Sequence, residues 1–304
     1  MPRSGGPARS IPVPKTATTC RSTSVYDVSR TQSEDTIVAP RKITIAELHR
    51  LHREAQPIVA LSLYDAVTAG FADDAGTHII LIGDSVGMTM LGYADTIRVT
   101  LEQSLHHTAA VARGTKHAMV VGDMPFLTYN VDVAEAMHNA GRYMQEAGAE
   151  AVKVEGGRNI APTVARMVEA GVPVMGHIGL LPQRVKVQGR YRVHGRQAEE
   201  AQSLMADATA LVEAGAFSIV LEGMPAELAK QITESVPVPT IGIGAGVHCS
   251  GQIQVSHDLL GLLEAYLPKH ARRYAELASE IRDAFAAYAK DVANHDFPGS
   301  DEST

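Results

Sequence analysis

The feature that most constrains the fold of this chain is a repeated alternation of short apolar runs with helical stretches. The apolar runs cover residues 57–62, 79–83, 118–122, 151–155, 173–176, 217–221 and 239–243, with a weaker run at 253–255. The helical stretches cover residues 65–75, 100–113, 132–147, 160–170, 197–214 and 226–235. Strands that alternate with helices form βαβ units around a parallel sheet, so the chain is predicted to be an α/β protein.

The number of units favours a (β/α)₈ TIM barrel. Seven clear units and a weak eighth one, within the 304 residues of the chain, agree with the count and length of such a barrel. An open, doubly wound sheet also alternates strands with helices, so periodicity alone leaves that alternative open. A further helix is predicted to begin near Thr44, because Thr44 and Glu47 have capping-box spacing.

The two ends of the chain differ in composition from its centre. Residues 1–40 are rich in Pro, Ser, Thr and Arg and are predicted to be a disordered extension. The barrel domain is predicted to cover residues 41–296, and a flexible tail residues 297–304. An organellar transit peptide is also Arg- and Ser-rich, but prolines at positions 2, 7, 12 and 14 would break its amphipathic helix. A cytoplasmic protein is therefore predicted.

Composition excludes several classes of function. The net charge is −7, Trp is absent and no basic patch with interleaved aromatic residues occurs, so no nucleic-acid partner is expected. No apolar run reaches the roughly 18 residues of a membrane span, so no membrane partner is expected. The two cysteines, Cys20 and Cys249, are far apart, which is typical of a reducing compartment.

A polar residue ends five of the apolar runs. These residues are Asp84, Asp123, Glu155, His177 and Glu222. In a barrel the carboxyl ends of the strands form the active site, so these five side chains are predicted to converge there. A single acid after a strand is more often the N-cap of the next helix. Glu is a poor N-cap, however, and five such residues in succession weaken that alternative.

The direction of these side chains follows from the two-residue period of a strand. Asp84 is predicted to share a face with Ile82, and Asp123 with Val121. The same period places Lys153 and Glu155 on one face at the end of the run 151–155.

This set of polar residues predicts a metal and an anionic substrate. Three carboxylates without histidine or cysteine ligands form a hard oxygen set, which suits Mg²⁺ better than zinc. Lys153 beside Glu155 would then bind the carboxylate or oxyanion of a substrate. The alternative role of Lys153 is a structural ion pair that offsets the carboxylates.

The glycine-rich stretch "IGIGAG" (241–246) is a weak dinucleotide-binding signal, because no clear helix start follows it. Gly242, Gly244 and Gly246 are instead predicted to form a tight turn or to let the backbone approach a ligand. His49, His52 and the pair His106–His107 are predicted to be helix-surface or packing residues.

Seven motifs in order resemble the ketopantoate hydroxymethyltransferase family, of the phosphoenolpyruvate/pyruvate superfamily. They are "LIGDSVGM", "GDMPF", "VKVEGG", "GHIGLLPQ", "YRVHGR", "VLEGMP" and "IGIGAG" followed by "GQIQVSHD". The likeness runs from about Thr44 to about Pro268, and the joint presence of the motifs is highly specific. It implies a (β/α)₈ barrel.

The resemblance also implies a role for each site residue. It implies metal binding by Asp84, Asp123 and Glu155, and keto-acid binding by Asp84, Ser85, Asp123, Lys153 and His177. Glu222 resembles the general base of the family. The implied reaction transfers a hydroxymethyl group from 5,10-methylenetetrahydrofolate to 3-methyl-2-oxobutanoate and gives 2-dehydropantoate, in pantothenate biosynthesis. The implied partners are this keto acid and the folate, and the implied assembly is a homo-oligomer, often a decamer.

The implied chemistry agrees with general principles. Mg²⁺ chelated by a 2-keto acid polarises the ketone and acidifies the adjacent C–H bond. A carboxylate in a dry site, here Glu222, can have its pKa raised towards 7 and remove that proton. The cation and Lys153 would stabilise the enolate that attacks the one-carbon unit.

The chain departs from the family pattern at Ser250, where an acid is usual before "GQ", and at Arg190, before the "YRVHGR" motif. Both are predicted to lie in loops that touch folate or a neighbouring subunit. Three other functions stay open on sequence grounds. They are a Mg²⁺-dependent C–C lyase of the same superfamily, a catalytically silent keto-acid-binding barrel, and an NAD-dependent oxidoreductase. The catalytic-cysteine loop that is usual in such lyases is absent from the sequence.

Overall fold

The fold is a closed barrel of eight parallel strands. A computed structural model describes residues 41–264 and 267–303, and the prediction for residues 1–40 lies outside these residues. Each strand pairs with its neighbours in sequence, and β8 pairs with β1. The strands are β1 (Ile58–Ser62), β2 (Ile79–Ile82), β3 (Met119–Asp123), β4 (Ala151–Glu155), β5 (Val174–Gly179), β6 (Ser218–Glu222), β7 (Thr240–Ile243) and β8 (Gly251–Val255). The predicted (β/α)₈ barrel is confirmed, and an open sheet is excluded.

Helices follow the strands along the chain. They are α1 (Ile45–Arg53), α2 (Ala66–Asp74), α3 (Val86–Thr89), α4 (Leu101–Gly114), α5 (Val133–Gln145), α6 (Ala161–Glu169), α7 (Val185–Gln188), α8 (Ala198–Glu213), α9 (Ala226–Ser235), α10 (Ser256–Leu259) and α11 (Leu277–Ala293). Side-chain caps fix several helix starts: Asp65, Thr100 and Asp132 each accept a hydrogen bond from a backbone N–H of the first turn. Thr44 caps α1 by accepting from the Glu47 N–H, as its spacing predicts.

The two faces of each strand pack against different parts of the molecule. Val152 and Val154 of β4 belong to an outer cluster that packs under the surrounding helices, whereas Ala151 belongs to a cluster inside the barrel. The inner cluster also contains Met119, Val121, Met175, Val220 and Ile241 from the other strands. All of these residues lie in the amino-terminal part of the barrel, which is therefore filled by apolar side chains.

Helix α1 closes the amino-terminal end of the barrel. Its Leu48 and Leu51 are buried in the inner cluster. His49 Nε2 lies 2.9 Å from the carbonyl oxygen of Phe217, and His52 Nδ1 lies 2.8 Å from Ser250 Oγ. Both histidines thus tie α1 to the starts of strands, which confirms them as packing residues.

The structure extends three of the predicted strands over polar residues. Strand β3 ends at Asp123, β6 ends at Glu222, and β5 continues through His177 to Gly179. These residues therefore belong to hydrogen-bonded strands rather than to loops, and the sheet fixes the direction of their side chains. Among the residues that the structure describes, no helix is long and apolar enough to cross a bilayer.

Candidate active site

The carboxyl ends of β3, β4 and β5 bring four polar residues together inside the barrel. Register pairs Asp123 with Lys153 and Glu155 with His177, so each pair shares one face of the sheet. Since Val121 belongs to the inner cluster, the strand period also directs Asp123 inward. The predicted convergence of these residues at the carboxyl end of the barrel is therefore observed.

Lys153 is the cation at the centre of this cluster. Its Nζ lies 2.8 Å from Asp123 Oδ1, 3.9 Å from Glu155 Oε1 and 3.2 Å from His177 Nδ1. Burial alone would lower the pKa of Lys153, but the charges of Asp123 and Glu155 outweigh burial and raise it above its usual value. The ammonium group is therefore charged although only 3% of the residue is exposed.

The carboxylates of the cluster are held in an environment that disfavours their negative charge. Burial raises the pKa of Asp123 to about 7, although the charge of Lys153 opposes the shift. Burial also raises the pKa of Glu155 well above its usual value, and the nearby charges of Asp84 and Asp123 add to this shift. One lysine does not neutralise this group of acids, so the cluster would gain from a further cation.

Asp84 lies in the same cluster, but a turn places it there rather than the predicted strand. Strand β2 ends at Ile82, and Ile82 packs in an outer cluster, so the expectation that Asp84 shares its face is wrong. Asp84 lies in the turn after the strand, where the period of two no longer applies. Its backbone N–H donates to Asp123 Oδ2 at 2.9 Å, which holds the two acidic residues together.

Gln183 links two of the carboxylates and was not predicted as a site residue. Its side-chain Nε2 donates to Asp84 Oδ2 at 3.1 Å, and its backbone N–H donates to Glu155 Oε2 at 3.2 Å. Tyr129 completes this arrangement, because its hydroxyl donates to Gln183 Oε1 at 2.8 Å and accepts from the Glu155 N–H at 3.0 Å. The only sequence signal for Gln183 is its place at the end of the "GHIGLLPQ" motif.

His177 connects the cluster to Glu222. Because the Lys153 ammonium can only donate, His177 Nδ1 accepts and the proton of the neutral ring lies on Nε2. Burial, followed by the charge of Lys153, lowers the pKa of His177 well below its usual value, so the ring is neutral. His177 Nε2 lies 3.2 Å from Glu222 Oε2, close but without full hydrogen-bond alignment.

Glu222 differs from the other acids because it is open to solvent. Its side chain is 16% exposed, whereas that of Glu155 is 2% exposed. Burial raises the pKa of Glu222 to about 7, with the charge of Lys153 opposing the shift. A carboxylate with these properties can exchange a proton near neutral pH with a molecule that enters from solvent.

Ser85 lies beside the cluster at the start of α3. Its Oγ is 2.7 Å from the hydroxyl of the buried Tyr64, which also accepts from Ser62 Oγ at 3.3 Å. A side chain at Gly83 would lie 2.8 Å from both serine oxygens, so only glycine allows this close approach. The predicted proximity of Ser85 to Asp84 is thus accompanied by a fixed hydroxyl position.

The donor set of the site fits a hard divalent cation. Glu155 Oε1 is buried and accepts no hydrogen bond from the described residues. Asp84, Asp123 and Glu155 supply only oxygen ligands, which is the chemistry that Mg²⁺ prefers. No trio of His, Cys, Asp or Glu side chains in residues 41–264 and 267–303 is already spaced as a finished metal site. The Lys153 ammonium lies among these carboxylates, so substrate or water oxygens would have to complete the ligand set.

The two departures from the family pattern lie at opposite ends of the barrel. Ser250 precedes β8, and its Oγ accepts from the Thr240 N–H at the start of β7, which places it at the amino-terminal end of the barrel, away from the candidate site. The expectation was contact with folate or with a neighbouring subunit, and the second alternative stays a prediction. Arg190 belongs to the loop after α7, at the carboxyl end. This loop is fixed to the site, because the His194 N–H donates to the Gly223 carbonyl at 2.8 Å.

The glycine-rich stretch after β7 forms a turn. Gly244 and Gly246 both have positive φ angles, +61° and +82°, which confirms the predicted need for glycine. The chain then passes directly into β8, with no helix in the fully described stretch between the two strands. A dinucleotide-binding turn requires such a helix, so that use of the motif is excluded.

Comparison with known proteins gives the same family over most of the chain. A family model described as ketopantoate hydroxymethyltransferase matches residues 42–300. A 3-methyl-2-oxobutanoate hydroxymethyltransferase of Chloroflexus aurantiacus is 56% identical over 263 residues, which cover 86% of this chain and 93% of that protein. The enzyme of the same name from Carboxydothermus hydrogenoformans is 51% identical over 84% of this chain and 93% of that protein.

Solved structures with low sequence identity share the fold. A phosphonopyruvate hydrolase in complex with oxalate and Mg²⁺ aligns with a TM-score of 0.56 at 14% identity, over 85% of this chain and 92% of that one. A 2,3-dimethylmalate lyase aligns with a TM-score of 0.56 at 16% identity, over 87% of this chain and 93% of that one. At these identities the likeness concerns the barrel architecture.

Proposed function

The chain belongs to the ketopantoate hydroxymethyltransferase family, and from this premise we propose that it makes 2-dehydropantoate for pantothenate synthesis. The hydroxymethyl group would come from 5,10-methylenetetrahydrofolate, and the acceptor would be 3-methyl-2-oxobutanoate. The observation that carries this proposal is the placement of Glu222, with a pKa of about 7, beside a buried cluster of one lysine and three acids. Carbon–carbon bond formation next to a ketone requires this pairing of a base with a site for negative charge.

Glu222 is the proposed general base. Its raised pKa leaves it partly ionised at neutral pH, where it can accept the C3 proton of the keto acid and later release it. Its side chain is the one among the clustered acids with appreciable exposure, so a substrate can approach it. The neutral His177 places its Nε2 3.2 Å from Glu222 Oε2, and its lowered pKa keeps it from protonating that carboxylate.

Lys153 is the proposed anchor for negative charge on the substrate. Its ammonium is buried, charged and held between Asp123 and His177. A keto acid bound there would place its carboxylate or enolate oxygen near a fixed positive charge, which is worth most where water is excluded. Ser85 would add a hydroxyl donor at the edge of the same site.

Asp84, Asp123 and Glu155 are the proposed ligands of a divalent cation such as Mg²⁺. The unpartnered Glu155 Oε1 and the raised pKa values of Asp123 and Glu155 support this assignment. When bound, the cation supplies Lewis acidity that polarises the keto oxygen and acidifies the adjacent C–H bond. Gln183 keeps Asp84 and Glu155 in position through one hydrogen bond to each.

The overall transfer balances with water as the source of the hydroxyl oxygen. The substrate carbon that loses its proton to Glu222 forms a bond to the folate methylene carbon. Tetrahydrofolate leaves, and water supplies the hydroxyl group of the product. We place the folate on the solvent side of Glu222, where the loop that follows α7 contacts Gly223.

A homo-oligomer, a decamer by family resemblance, and a cytoplasmic location remain predictions. The outer surface of α11 supports self-association, since Ile281, Phe285, Tyr288 and Val292 are all at least 40% exposed. Their spacing places them along one side of the helix, where a second copy could cover them. Light scattering of the purified protein would give the number of subunits.

Deuterium exchange tests the proposal step by step. Incubation of 3-methyl-2-oxobutanoate with protein in D₂O, with and without Mg²⁺ and without folate, should give metal-dependent loss of the C3 proton signal. Glu222→Gln should abolish this exchange, while Glu234→Gln, a matched change on the exposed side of α9, should leave it intact. Adding 5,10-methylenetetrahydrofolate should then yield 2-dehydropantoate.

The outcomes separate the competing functions. Exchange without transfer would favour a lyase-type enzyme that acts on 2-keto acids. Binding of the keto acid with no exchange under any metal would favour a catalytically silent barrel. Exchange that persists in Glu222→Gln would remove Glu222 from its role as the base.

A further inference from the structure

Three hydroxyl groups lie in a row beside the carboxylate cluster. They belong to Ser62 at the end of β1, to Tyr64 two residues later and to Ser85 directly before α3. Ser62 Oγ donates to the Tyr64 hydroxyl at 3.3 Å, and the Tyr64 hydroxyl lies 2.7 Å from Ser85 Oγ. These three side chains are here called the hydroxyl network. Its last member is the serine to which the keto acid is proposed to bind.

The strand period places the first member of the network. Ile58 and Ala60 of β1 are buried in the apolar inner cluster, so the two-residue period directs Ser62 to the same face of the sheet. Ser62 is only 3% exposed. Its hydroxyl therefore requires a partner within the protein, because an unpartnered buried polar group is costly. The Tyr64 hydroxyl is that partner.

Tyr64, the central member, is held in place from both sides. It is buried, and its ring centroid lies 5.5 Å from that of His257. Its backbone carbonyl can only accept, so His107 Nδ1, at 2.8 Å, donates to it. Burial raises the pKa of the Tyr64 hydroxyl, although its hydrogen bonds to the two serines oppose the shift. The hydroxyl therefore keeps its proton at neutral pH and stays a donor.

The direction of the hydrogen bonds follows from the number of protons. A tyrosine hydroxyl has one proton to donate. Because the Tyr64 oxygen accepts from Ser62, its own proton is directed to Ser85 Oγ. Ser85 therefore accepts from Tyr64 and keeps its own proton for another acceptor. Ser85 is half-buried, whereas Ser62 and Tyr64 are buried, so this proton lies at the end of the network that a ligand can reach.

The backbone around Ser85 fixes the position of its oxygen. A Cβ atom at Gly83 would lie 2.8 Å from Ser62 Oγ and 2.8 Å from Ser85 Oγ, so the two serine oxygens converge on the space that glycine leaves open. The Thr89 hydroxyl donates to the Ser85 carbonyl at 3.0 Å and so stabilises the first turn of α3. A donor that is ordered before the ligand arrives loses less conformational entropy on binding.

We propose that Tyr64 is a positioning residue, which orients the Ser85 hydroxyl so that it donates to the carboxylate of the bound keto acid. This inference rests on the proposed function, because it takes the keto acid as the ligand. A serine hydroxyl rotates freely about its C–O bond, but a proton donated by Tyr64 occupies one side of the oxygen and leaves the O–H directed elsewhere. The substrate carboxylate is charged before and after the C3 proton is removed. The oriented donor should therefore favour substrate binding rather than the chemical step.

Calorimetric titration with 3-methyl-2-oxobutanoate, in the presence of Mg²⁺ and without folate, measures the effect on binding. Ser85→Ala should raise the Kd about ten- to a hundredfold, because a hydrogen bond to a charged group is lost. Tyr64→Phe should raise it about two- to tenfold, the range of one neutral hydrogen bond, because the Ser85 hydroxyl is still present but no longer oriented. In the deuterium exchange of the keto acid, Tyr64→Phe should raise KM by the same factor and change kcat much less.

A double variant decides whether Tyr64 acts through Ser85. Tyr64→Phe combined with Ser85→Ala should have the same Kd as Ser85→Ala alone, because no hydroxyl is then left for Tyr64 to orient. Gly83→Ala keeps all three hydroxyls but displaces the serine oxygens, so it should also raise the Kd. The matched control is Ser218→Ala, which removes a buried hydroxyl that donates to the Pro239 carbonyl at the amino-terminal end of β6. It should lower stability and leave the Kd unchanged.

The possible results separate this inference from the proposed function. An unchanged Kd in Tyr64→Phe would overturn the inference. The same fold-increase from Tyr64→Phe with and without the Ser85 hydroxyl would also overturn it, and Tyr64 would then have a packing role only. A wild-type protein that binds the keto acid but gives no transfer with the folate would refute the proposed function, and the Kd values of the variants would still decide the role of Tyr64. Failure of the wild type to bind the keto acid would overturn both.

Discussion

The inner face of the barrel has two layers of opposite character, built by the same strands. In the amino-terminal layer, Ala151, Met175 and Val220 are buried in the apolar inner cluster. Two residues later on the same strands and the same face, the carboxyl-terminal layer has Lys153, His177 and Glu222. A distance of two residues along each strand therefore separates the hydrophobic core from the cluster of buried ionisable groups.

The difference shows how the barrel divides stability from chemistry. The apolar layer stabilises the fold by removing side chains from water. The polar layer opposes folding, because burial raises the pKa of Asp123 and of Glu222 to about 7 each, a sign that their charged forms are disfavoured. A layer that costs stability in this way is retained where it performs a function.

The largest effect is expected from Lys153, the only cation in the described part of the polar layer. Lys153→Met keeps the volume of the side chain and removes its charge from beside Asp123. The transfer reaction should show a raised KM and a lowered kcat, with kcat/KM reduced about a hundred- to a thousandfold. Steady-state kinetics would measure this change, with the exposed-site variant Lys230→Met as the control. Near-normal KM and kcat in Lys153→Met would leave Lys153 as a structural ion pair.

The sequence predicts the polar layer well where the residues belong to strands. Asp123, Lys153, Glu155 and His177 lie in hydrogen-bonded ladders, so a period of two is enough to place them on one face. The closure of the sheet into a barrel follows from the number of units and the family resemblance together, whereas periodicity alone leaves an open sheet as an alternative.

The sequence predicts the remaining site residues poorly because turns and short helices hold them. Strand alternation predicts that Asp84 shares a face with Ile82, but Asp84 lies in a turn, and this turn places it in the cluster. Gln183 comes from a short 3₁₀ helix, Pro182–Arg184, and it contacts partners 28 and 99 positions away in sequence. Ser250 directly precedes the motif that forms β8, and the sequence alone does not show that this end of the strand lies far from the mouth. Only the tertiary fold decides such contacts.

The second largest effect is expected in the apolar layer. Met175 is 1% exposed and lies on the same strand and face as His177, one period closer to the amino terminus. Met175→Ala should lower the free energy of unfolding by about 3 kcal/mol, through lost burial and a residual cavity. Urea denaturation would measure the loss, and Val67→Ala at a 65% exposed position should cost much less. The activity per folded molecule should change little. A variant that loses activity but not stability would show that the two layers are not separate.

The smallest of the three effects is a gain of stability in the polar layer. Glu222 has a pKa of about 7 in the folded protein and about 4.5 when unfolded, so the folded state binds its proton more tightly. The favourable contribution is present below pH 4.5 and is lost as the pH rises through 7. The full shift would correspond to about 3 kcal/mol, and the partial exposure of the side chain reduces this. Glu222→Gln should therefore be more stable than the wild type by about 2 kcal/mol at pH 8 and nearly equal to it at pH 4.5.

Urea denaturation of both proteins at the two pH values measures this difference. Glu234→Gln, an exposed change on α9, is the control and should leave the free energy of unfolding nearly unchanged. A gain of stability at pH 8 combined with loss of deuterium exchange would show that the base is kept at the expense of the fold. Equal stability of Glu222→Gln and the wild type at pH 8 would mean that water reaches Glu222 freely. The buried polar layer would then include His177 but not Glu222, and the proposed base would lie on the solvent side of the mouth of the barrel.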